Sequence, residues 1–121
     1  MDLKQDVPIF YQIAETIEDG ILTESFKEGE QVPSITEFSL LYKINPATAN
    51  KGINLLVDEG ILYKKRGVGM FVKEGAIEKL KKKRQSQFYA LYVERMIKEA
   101  RKLNISSTDI IGMIERGFDN E

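Results

Sequence analysis

The fold is decided by residues 33–73, which read PSITEFSLLYKINPATANKGINLLVDEGILYKKRGVGMFVK. Near the start of this stretch, Ser34 and Glu37 have the spacing of a capping box. In such a box the serine hydroxyl accepts a backbone N–H at the helix start, and the glutamate reaches back to the serine backbone. The box predicts a short helix over 35–42 with one apolar face. The predicted inward side chains are Ile35, Phe38 and either Leu41 or Tyr42.

A second helix start follows at Asn45 and Pro46. Asparagine is a favoured N-cap, and proline is tolerated at the first helical position because the N–H that it lacks would have no partner there. Apolar residues then recur at helical spacing until Gly60, which is typical of a helix stop. The pattern predicts a helix over 46–58. Its predicted inner stripe is Ala49, Ile53, Leu56 and Val57.

Two short strand candidates, 61–65 and 70–73, come next. Arg66-Gly-Val-Gly69 lies between them, and its glycines permit the positive φ angles of a hairpin tip. A helix, a turn, a second helix and a basic hairpin, in this order, are typical of a winged helix-turn-helix. That unit offers one helix to the major groove of DNA and a loop to the adjacent backbone. The order therefore predicts a DNA-binding regulator.

An amphipathic helix is predicted before this unit, over about residues 8–24. Apolar residues recur at spacings of three and four from Phe10 to Ile21, and Pro8 precedes them at a position that tolerates its missing N–H. The predicted solvent face carries Glu15, Glu18 and Asp19.

The chain after Gly75 forms a separate segment with two predicted helices. Residues 76–103 contain neither proline nor glycine and are rich in helix-forming residues, and Asn104 ends this helix. A cap at Ser106 then begins a short final helix that is expected to end near Gly117.

The first of these helices begins with a basic run, Lys79 to Arg84. Three interpretations of this run stay open: a solvated helix start, additional contacts with DNA phosphates, and a membrane-surface segment. The third is the weakest because no apolar face accompanies the lysines.

From Phe88 to Leu103 the same helix becomes strongly apolar. Two short helices cannot bury so many large apolar side chains by themselves, and large exposed apolar patches are rare on monomers. We therefore expect packing against a twofold mate, with packing onto the chain's own winged domain as the alternative. The expected dimer contacts are Phe88, Leu91, Tyr92, Met96, Ile110 and Ile114.

The expected fold class is mainly α with a small β-hairpin. Residues 1–74 are expected to form a winged helix-turn-helix DNA-binding domain, and residues 75–121 a C-terminal two-helix dimerisation tail.

Cysteine and histidine are both absent from the 121 residues. The chain therefore cannot form disulfides or thiolate metal sites, and it lacks the side chain used most for acid–base catalysis near neutral pH. No apolar run approaches the length of a membrane span, and the N-terminus does not resemble a signal peptide. We therefore expect no enzyme activity, no cofactor, no catalytic or metal-binding residues, no membrane contact and a cytoplasmic location.

The net charge is −1, which by itself argues against a DNA-binding protein. The distribution of charge argues for one, because residues 33–73 hold six basic and three acidic side chains, whereas residues 1–32 hold two basic and eight acidic ones. Physiological salt screens charges beyond about 8 Å, so a local basic surface matters more than the total.

Five short segments, in order, resemble the GntR family of bacterial transcription regulators. They are Pro8-Ile-Phe-Tyr-Gln-Ile13, Gly29-Glu-Gln-Val-Pro-Ser34, Asn45-Pro-Ala-Thr48, Glu59-Gly-Ile61 and Arg66-Gly-Val-Gly-Met-Phe-Val72. The remaining chain is too short for the larger ligand-binding domains of most GntR branches. A two-helix tail of this length resembles the YtrA branch, which implies dimerisation through the tail.

The resemblance also implies DNA contacts from the start of the second helix of the helix-turn-helix and from the hairpin, or wing. Asn50 suits adenine, and Lys51 suits guanine or phosphate. Thr36 stands where the family commonly has a base-reading arginine, so the preferred operator is expected to differ from the usual one. The candidate DNA-binding residues are Ser34, Thr36, Asn45, Ala47, Thr48, Asn50, Lys51, Lys65, Arg66 and Gly67.

The expected function is a homodimeric regulator, a repressor by resemblance, that binds an inverted repeat in double-stranded DNA. The alternative is a winged-helix protein-interaction module without specific DNA binding, which the low overall charge and Thr36 favour. Two modes of control stay open: an unknown small-molecule effector bound by the C-terminal helices, or changes in protein level alone.

Overall fold

The computed structural model of the protein describes residues 7–120. The chain divides into two compact units, the first reaching to Lys82 and the second beginning at Lys83. The elements are α1 (Ile9–Leu22), α2 (Ile35–Tyr42), α3 (Pro46–Asp58), β1 (Leu62–Lys65), β2 (Gly69–Val72), α4 (Ala76–Phe88), a π-helical turn (Tyr89–Val93), α5 (Glu94–Lys102) and α6 (Ser107–Asp119).

The amphipathic pattern of α1 is confirmed, with two differences. Pro8 has an extended backbone, with ψ of 143°, and is the N-cap of α1 and not its first residue. Glu18 is only 4% exposed, so its placement on the solvent face was wrong. It lies one turn from both Ala14 and Ile21, and the buried stripe of α1 is wide enough to include it.

The two helices of the helix-turn-helix begin and end where the sequence predicted. Of the two candidates at the end of α2, Tyr42 is half-buried against the core, whereas Leu41 is 68% exposed. Lys43 ends α2 in the left-handed region, with φ of 54°, and makes the tight turn into α3. Gly60 follows α3 with φ of 76°, as its role as a helix stop requires.

The hairpin pairs β1 with β2 in antiparallel register, from Leu62 opposite Val72 to Lys65 opposite Gly69. A third segment lies on the free edge of β2, where the Val32 N–H donates to the Met70 carbonyl over 2.9 Å. The sequence did not indicate this pairing, because residues 29–32 are too short and too polar to show a strand pattern. β2 is therefore hydrogen-bonded along both of its edges, to β1 on one side and to residues 29–32 on the other.

Apolar side chains from α1, α2, α3, the hairpin and the first turns of α4 form the core of the first unit. Ala76 and Leu80 of α4 are fully buried in it, which is why this unit continues past Gly75 to Lys82. The Glu28 carboxylate holds the start of α4, accepting the Gly75 and Ile77 N–H groups over 3.0 and 3.1 Å. These two bonds lower the pKa of Glu28 below its ordinary value of 4.5.

In the second unit, the uninterrupted helix predicted over 76–103 contains a π-helical turn at Tyr89–Val93. Asn104 ends α5 with a left-handed backbone, and the Ser106 hydroxyl caps α6 by accepting the Asp109 N–H over 3.1 Å. The final helix ends at Asp119, two residues beyond Gly117 and near the predicted end. A single glycine inside a helix costs only about 1 kcal/mol, so it does not by itself end one.

Within the described range, every helix is too short or too polar to cross a lipid bilayer. The acidic side chains of residues 7–120 form no group that could hold a metal ion.

Candidate nucleic-acid interface

The core fixes the orientation of α3. Ala49, Gly52, Ile53 and Leu56 are buried on one side, and α3 packs against α1, α2 and β1. On the opposite side, Ala47, Asn50 and Lys51 are exposed, while Thr48 is half-buried. The predicted DNA-reading positions of this helix thus lie mainly on its solvent side.

Asn45 begins α3 by accepting the Ala47 N–H with its side-chain oxygen over 2.8 Å. This bond confirms the predicted cap. The Thr48 and Ala49 N–H groups donate to the Asn45 carbonyl over 3.0 and 3.1 Å, and Pro46 has no N–H. The positive end of the helix dipole still favours an anion such as phosphate near this turn.

Asn50 is held by a neighbour that the sequence reasoning missed. The Asn54 side-chain nitrogen donates to the Asn50 side-chain oxygen over 3.0 Å. The bond orients the Asn50 amide, whose nitrogen and second oxygen lone pair remain for a base edge. The signal was present in the sequence, since asparagines four residues apart on a helix lie side by side.

Lys51 is also held, in this case by α1. Its ammonium nitrogen lies 4.1 Å from the centroid of the Phe10 ring, within the range of a cation–π contact. Nothing in the spacing of Phe10 and Lys51 along the chain indicates this contact, because it depends on how α1 packs on α3.

Ser34 and Thr36 lie at the start of α2. The Ser34 hydroxyl accepts the Glu37 N–H over 3.0 Å, and the Glu37 carboxylate accepts the Ser34 N–H over 2.9 Å. The Ser34 backbone bond, followed by its side chain, lowers the pKa of Glu37 below its ordinary 4.5. Ser34 therefore acts first as a cap, and the exposed Thr36 follows it in the first turn.

The wing carries Lys65, Arg66 and Gly67, all exposed. The Lys65 ammonium nitrogen lies 5.0 Å from the centroid of the Phe71 ring, and Gly67 has φ of 77°.

The wing tip has a support that the sequence reasoning missed. The Gln31 side-chain nitrogen donates to the Val68 carbonyl over 3.0 Å, across the tip. A Cβ on Gly69 would displace this flexible amide, and the φ of 145° also favours glycine there. Gln31 thus ties the tip to the segment that pairs with β2.

The second unit presents a large apolar surface, which we call the tail surface. Among the described residues of this unit, Ala100 is the only buried apolar one. Five of the six predicted dimer contacts are exposed in the single chain, and Ile110 is half-buried. The exposed large apolar residues of the tail surface are Phe88, Tyr89, Leu91, Tyr92, Met96, Leu103, Ile111, Met113, Ile114 and Phe118.

A capped helix-turn-helix followed by a basic, supported hairpin defines a winged helix-turn-helix protein of the DNA-binding class. Residues 11–72 match the gntR family of bacterial regulatory proteins. The chain belongs to this GntR family and is a DNA-binding transcription regulator. Its relatives are regulators and not enzymes.

Two similar proteins come from Bacillus subtilis. The uncharacterized HTH-type transcriptional regulator YhcF is 26% identical over 106 residues, covering 86% of this chain and 84% of that protein. The HTH-type transcriptional repressor YtrA is 32% identical over 76 residues, covering 63% of this chain and 58% of the repressor.

A solved structure of a GntR family transcriptional regulator from Listeria monocytogenes resembles the fold over both units. It superposes with a TM-score of 0.77 at 28% identity, covering 94% of this chain and 98% of the other. The similarity to YtrA agrees with the YtrA-like resemblance seen in the sequence.

Proposed function

We propose that this regulator is a cytoplasmic homodimeric repressor that binds an inverted repeat in double-stranded DNA. The observation that carries the proposal is the orientation of α3, whose inner face is fully buried and whose outward side chains Ala47, Asn50 and Lys51 are exposed. A helix fixed in this way presents the same side chains at the same positions to every base sequence. The similarity to the YtrA repressor supports repression over activation.

Each candidate residue has a proposed role. Asn50 pairs with adenine, and Lys51 reaches guanine or phosphate. Lys65, Arg66 and Gly67 of the wing contact the neighbouring backbone. The remaining candidates border these contacts at the starts of the two helices: Ser34, Thr36, Asn45, Ala47 and Thr48.

The tail surface supports the homodimer. Contiguous apolar patches above a few hundred Å² are rare on monomers, and twofold pairing is the commonest way to cover one. A twofold pair would place two copies of α3 in successive major grooves, about 34 Å apart. Residues 75–121 would then be the dimerisation tail, and a small-molecule effector would bind there, with control by protein level as the alternative.

The test begins with selection of random-sequence duplexes on the wild-type protein at about 0.15 M salt. We expect an inverted repeat with half-site centres about one helical turn apart, bound by two chains per duplex. Binding should weaken steeply with salt, because each released counterion contributes a slope of about 0.9. Recovery of a single half-site bound by one chain would contradict the dimer, and equal affinity for selected and scrambled duplexes would contradict specific reading.

A further inference from the structure

We propose that Phe10 is a positioning residue for Lys51, and that its ring makes this lysine a base reader where it would otherwise be a mobile phosphate contact. The inference rests on the proposed function of α3. It assigns to α1 a part in sequence specificity, although α1 supplies none of the candidate DNA contacts.

The first observation is the geometry of the pair. The Lys51 ammonium nitrogen lies 4.1 Å from the Phe10 ring centroid, while Lys51 itself is exposed and Phe10 is half-buried. A lysine on a helix surface normally samples many rotamers, and ordering it on a base costs entropy. A ring that already attracts the ammonium to one location removes part of that cost before DNA arrives.

The second observation is that the backbone of Phe10 packs closely on α3 beside Lys51. Next to Lys51, a Cβ on Gly52 would lie 2.7 Å from the Phe10 carbonyl oxygen, so α1 and α3 are in close contact at this point. The neighbouring Tyr11 ring lies 4.4 Å from the Phe10 ring, centroid to centroid. The backbone of Phe10 is therefore held against α3, which keeps its side chain within reach of Lys51.

The wing repeats the arrangement. Lys65 lies over Phe71 at 5.0 Å, and the Tyr63 ring stacks on Phe71 at 5.7 Å from the opposite strand. Two lysines of the candidate interface are thus held by phenylalanine rings from other positions of the fold. The shorter distance at Phe10 makes that pair the stronger one to test.

Loss of the lysine charge would lower both the affinity for the selected duplex and the affinity for arbitrary DNA, whereas loss of the ring should lower only the first. Replacing Phe10 keeps the lysine charge, so affinity for arbitrary DNA and the salt dependence of binding should stay constant. Only the affinity for the selected duplex should fall. Contacts of this kind at exposed sites correspond to a decrease of about two- to fivefold.

The experiment measures binding of the full-length protein to two probes: a duplex that the wild type selects from a random library, and a scrambled duplex of equal length. Phe10→Leu and Phe10→Met should both bind the selected duplex about two- to fivefold more weakly. Phe10→Tyr, which retains a ring, should restore wild-type affinity. Phe26→Leu, four residues beyond the end of α1, removes a half-buried ring as a matched control and should leave both affinities unchanged.

A double-mutant cycle with Lys51→Met decides between positioning and a general structural effect. If Phe10 acts through Lys51, Phe10→Leu has no further effect once the lysine is gone. An equal decrease in both backgrounds, or a tighter complex after Phe10→Leu, would overturn the inference. If Lys51→Met weakens selected binding and Phe10→Leu and Phe10→Met do not, the inference alone fails. If Lys51→Met changes nothing, the proposed role of Lys51 on α3 fails first.

Discussion

The two compact units use similar apolar patterns for different purposes. In the first unit the apolar stripes of α1, α2 and α3 meet one another and the hairpin, and their side chains are buried within the chain. In the second unit the apolar residues are as frequent, yet most of the large ones are exposed. The first unit therefore has a core of its own, whereas the second leaves most of its large apolar side chains exposed in the single chain.

The two units are therefore expected to contribute to DNA binding in different ways. The first unit orients α3 and the wing, and its own packing sets their positions. All candidate DNA-binding residues belong to the first unit, so the tail surface would contribute to affinity by joining two first units in the proposed dimer. Substitutions on the tail surface should consequently change the oligomeric state, whereas substitutions on α3 should change the reading of DNA bases.

The largest effect is expected from Leu91→Asp on the tail surface. Leu91 is 48% exposed in the single chain, so the charge should not disturb the fold of the chain, but it would be buried in the proposed dimer. We expect a monomer at micromolar concentration in sedimentation velocity. Affinity for an inverted repeat should fall about 100-fold or more, because two linked sites no longer bind together.

The matched control is Gln85→Asp, which adds the same charge at an exposed polar position of α4. It should leave the sedimentation coefficient unchanged. A wild-type protein that already sediments as a monomer would remove the contrast between the units, since the tail surface would then be exposed in the functional state.

A second comparison uses the same substitution in each unit. Gly52→Ala should lower the free energy of unfolding by about 1–3 kcal/mol, because its Cβ would meet the Phe10 backbone and force α1 away from α3. Gly117→Ala should raise it by roughly 0.5–1 kcal/mol, because no atom lies within 4 Å of the added Cβ and alanine favours the helix.

Denaturant unfolding at one fixed protein concentration measures both changes, since stability of a dimer depends on concentration. If both alanines stabilise the protein, the close approach of α1 and α3 is not as rigid as the packing of Gly52 indicates.

Much of the first unit could be predicted from the sequence because its signals are local. The Ser34–Glu37 box and the Asn45–Pro46 start each depend on residues within one helical turn, and both are confirmed. The hairpin was also predictable, since Gly67 and Gly69 mark its tip.

The missed features depend on residues far apart in the chain or on burial. Gln31 reaches Val68, and Glu28 reaches Gly75 and Ile77, only after the chain has folded. The charge of Glu18 predicted an exposed side chain, whereas its position on the helix places it at the edge of the buried stripe. The π-helical turn left no signal either, because an extra residue in a helical turn does not change the local composition.

The third prediction concerns base reading by the first unit alone. Asn50→Ala and Lys51→Ala should each weaken binding to a selected duplex by about 1–3 kcal/mol, without changing the oligomeric state. Only Lys51→Ala should reduce the salt slope, because only it removes a charge. Fluorescence anisotropy at several salt concentrations measures both quantities.

The control is Lys98→Ala, which removes a charge from an exposed position of α5 that pairs with Glu94 over 3.2 Å. Unchanged affinity and sequence preference in both α3 variants would mean that the outward face of α3 does not read DNA, however well the core holds it.

The smallest effect is expected at Glu28, which joins the start of α4 to the first unit. Its pKa is lowered from 4.5 by the N–H groups of Gly75 and Ile77. A carboxyl with a lowered pKa in the folded state contributes stability that is fully present above its unfolded pKa. That contribution is lost as the pH falls below 4.5 and through the folded pKa.

Glu28→Gln should therefore lower the melting temperature slightly at neutral pH and make its decrease between about pH 6 and pH 3 shallower than in the wild type. Glu115→Gln removes a carboxylate from an exposed position of α6 and is the matched control. Thermal unfolding followed by circular dichroism across this range measures the difference. If the two variants show the same pH dependence, the bonds from Glu28 do not stabilise the first turn of α4, and the burial of Ala76 and Leu80 alone holds it.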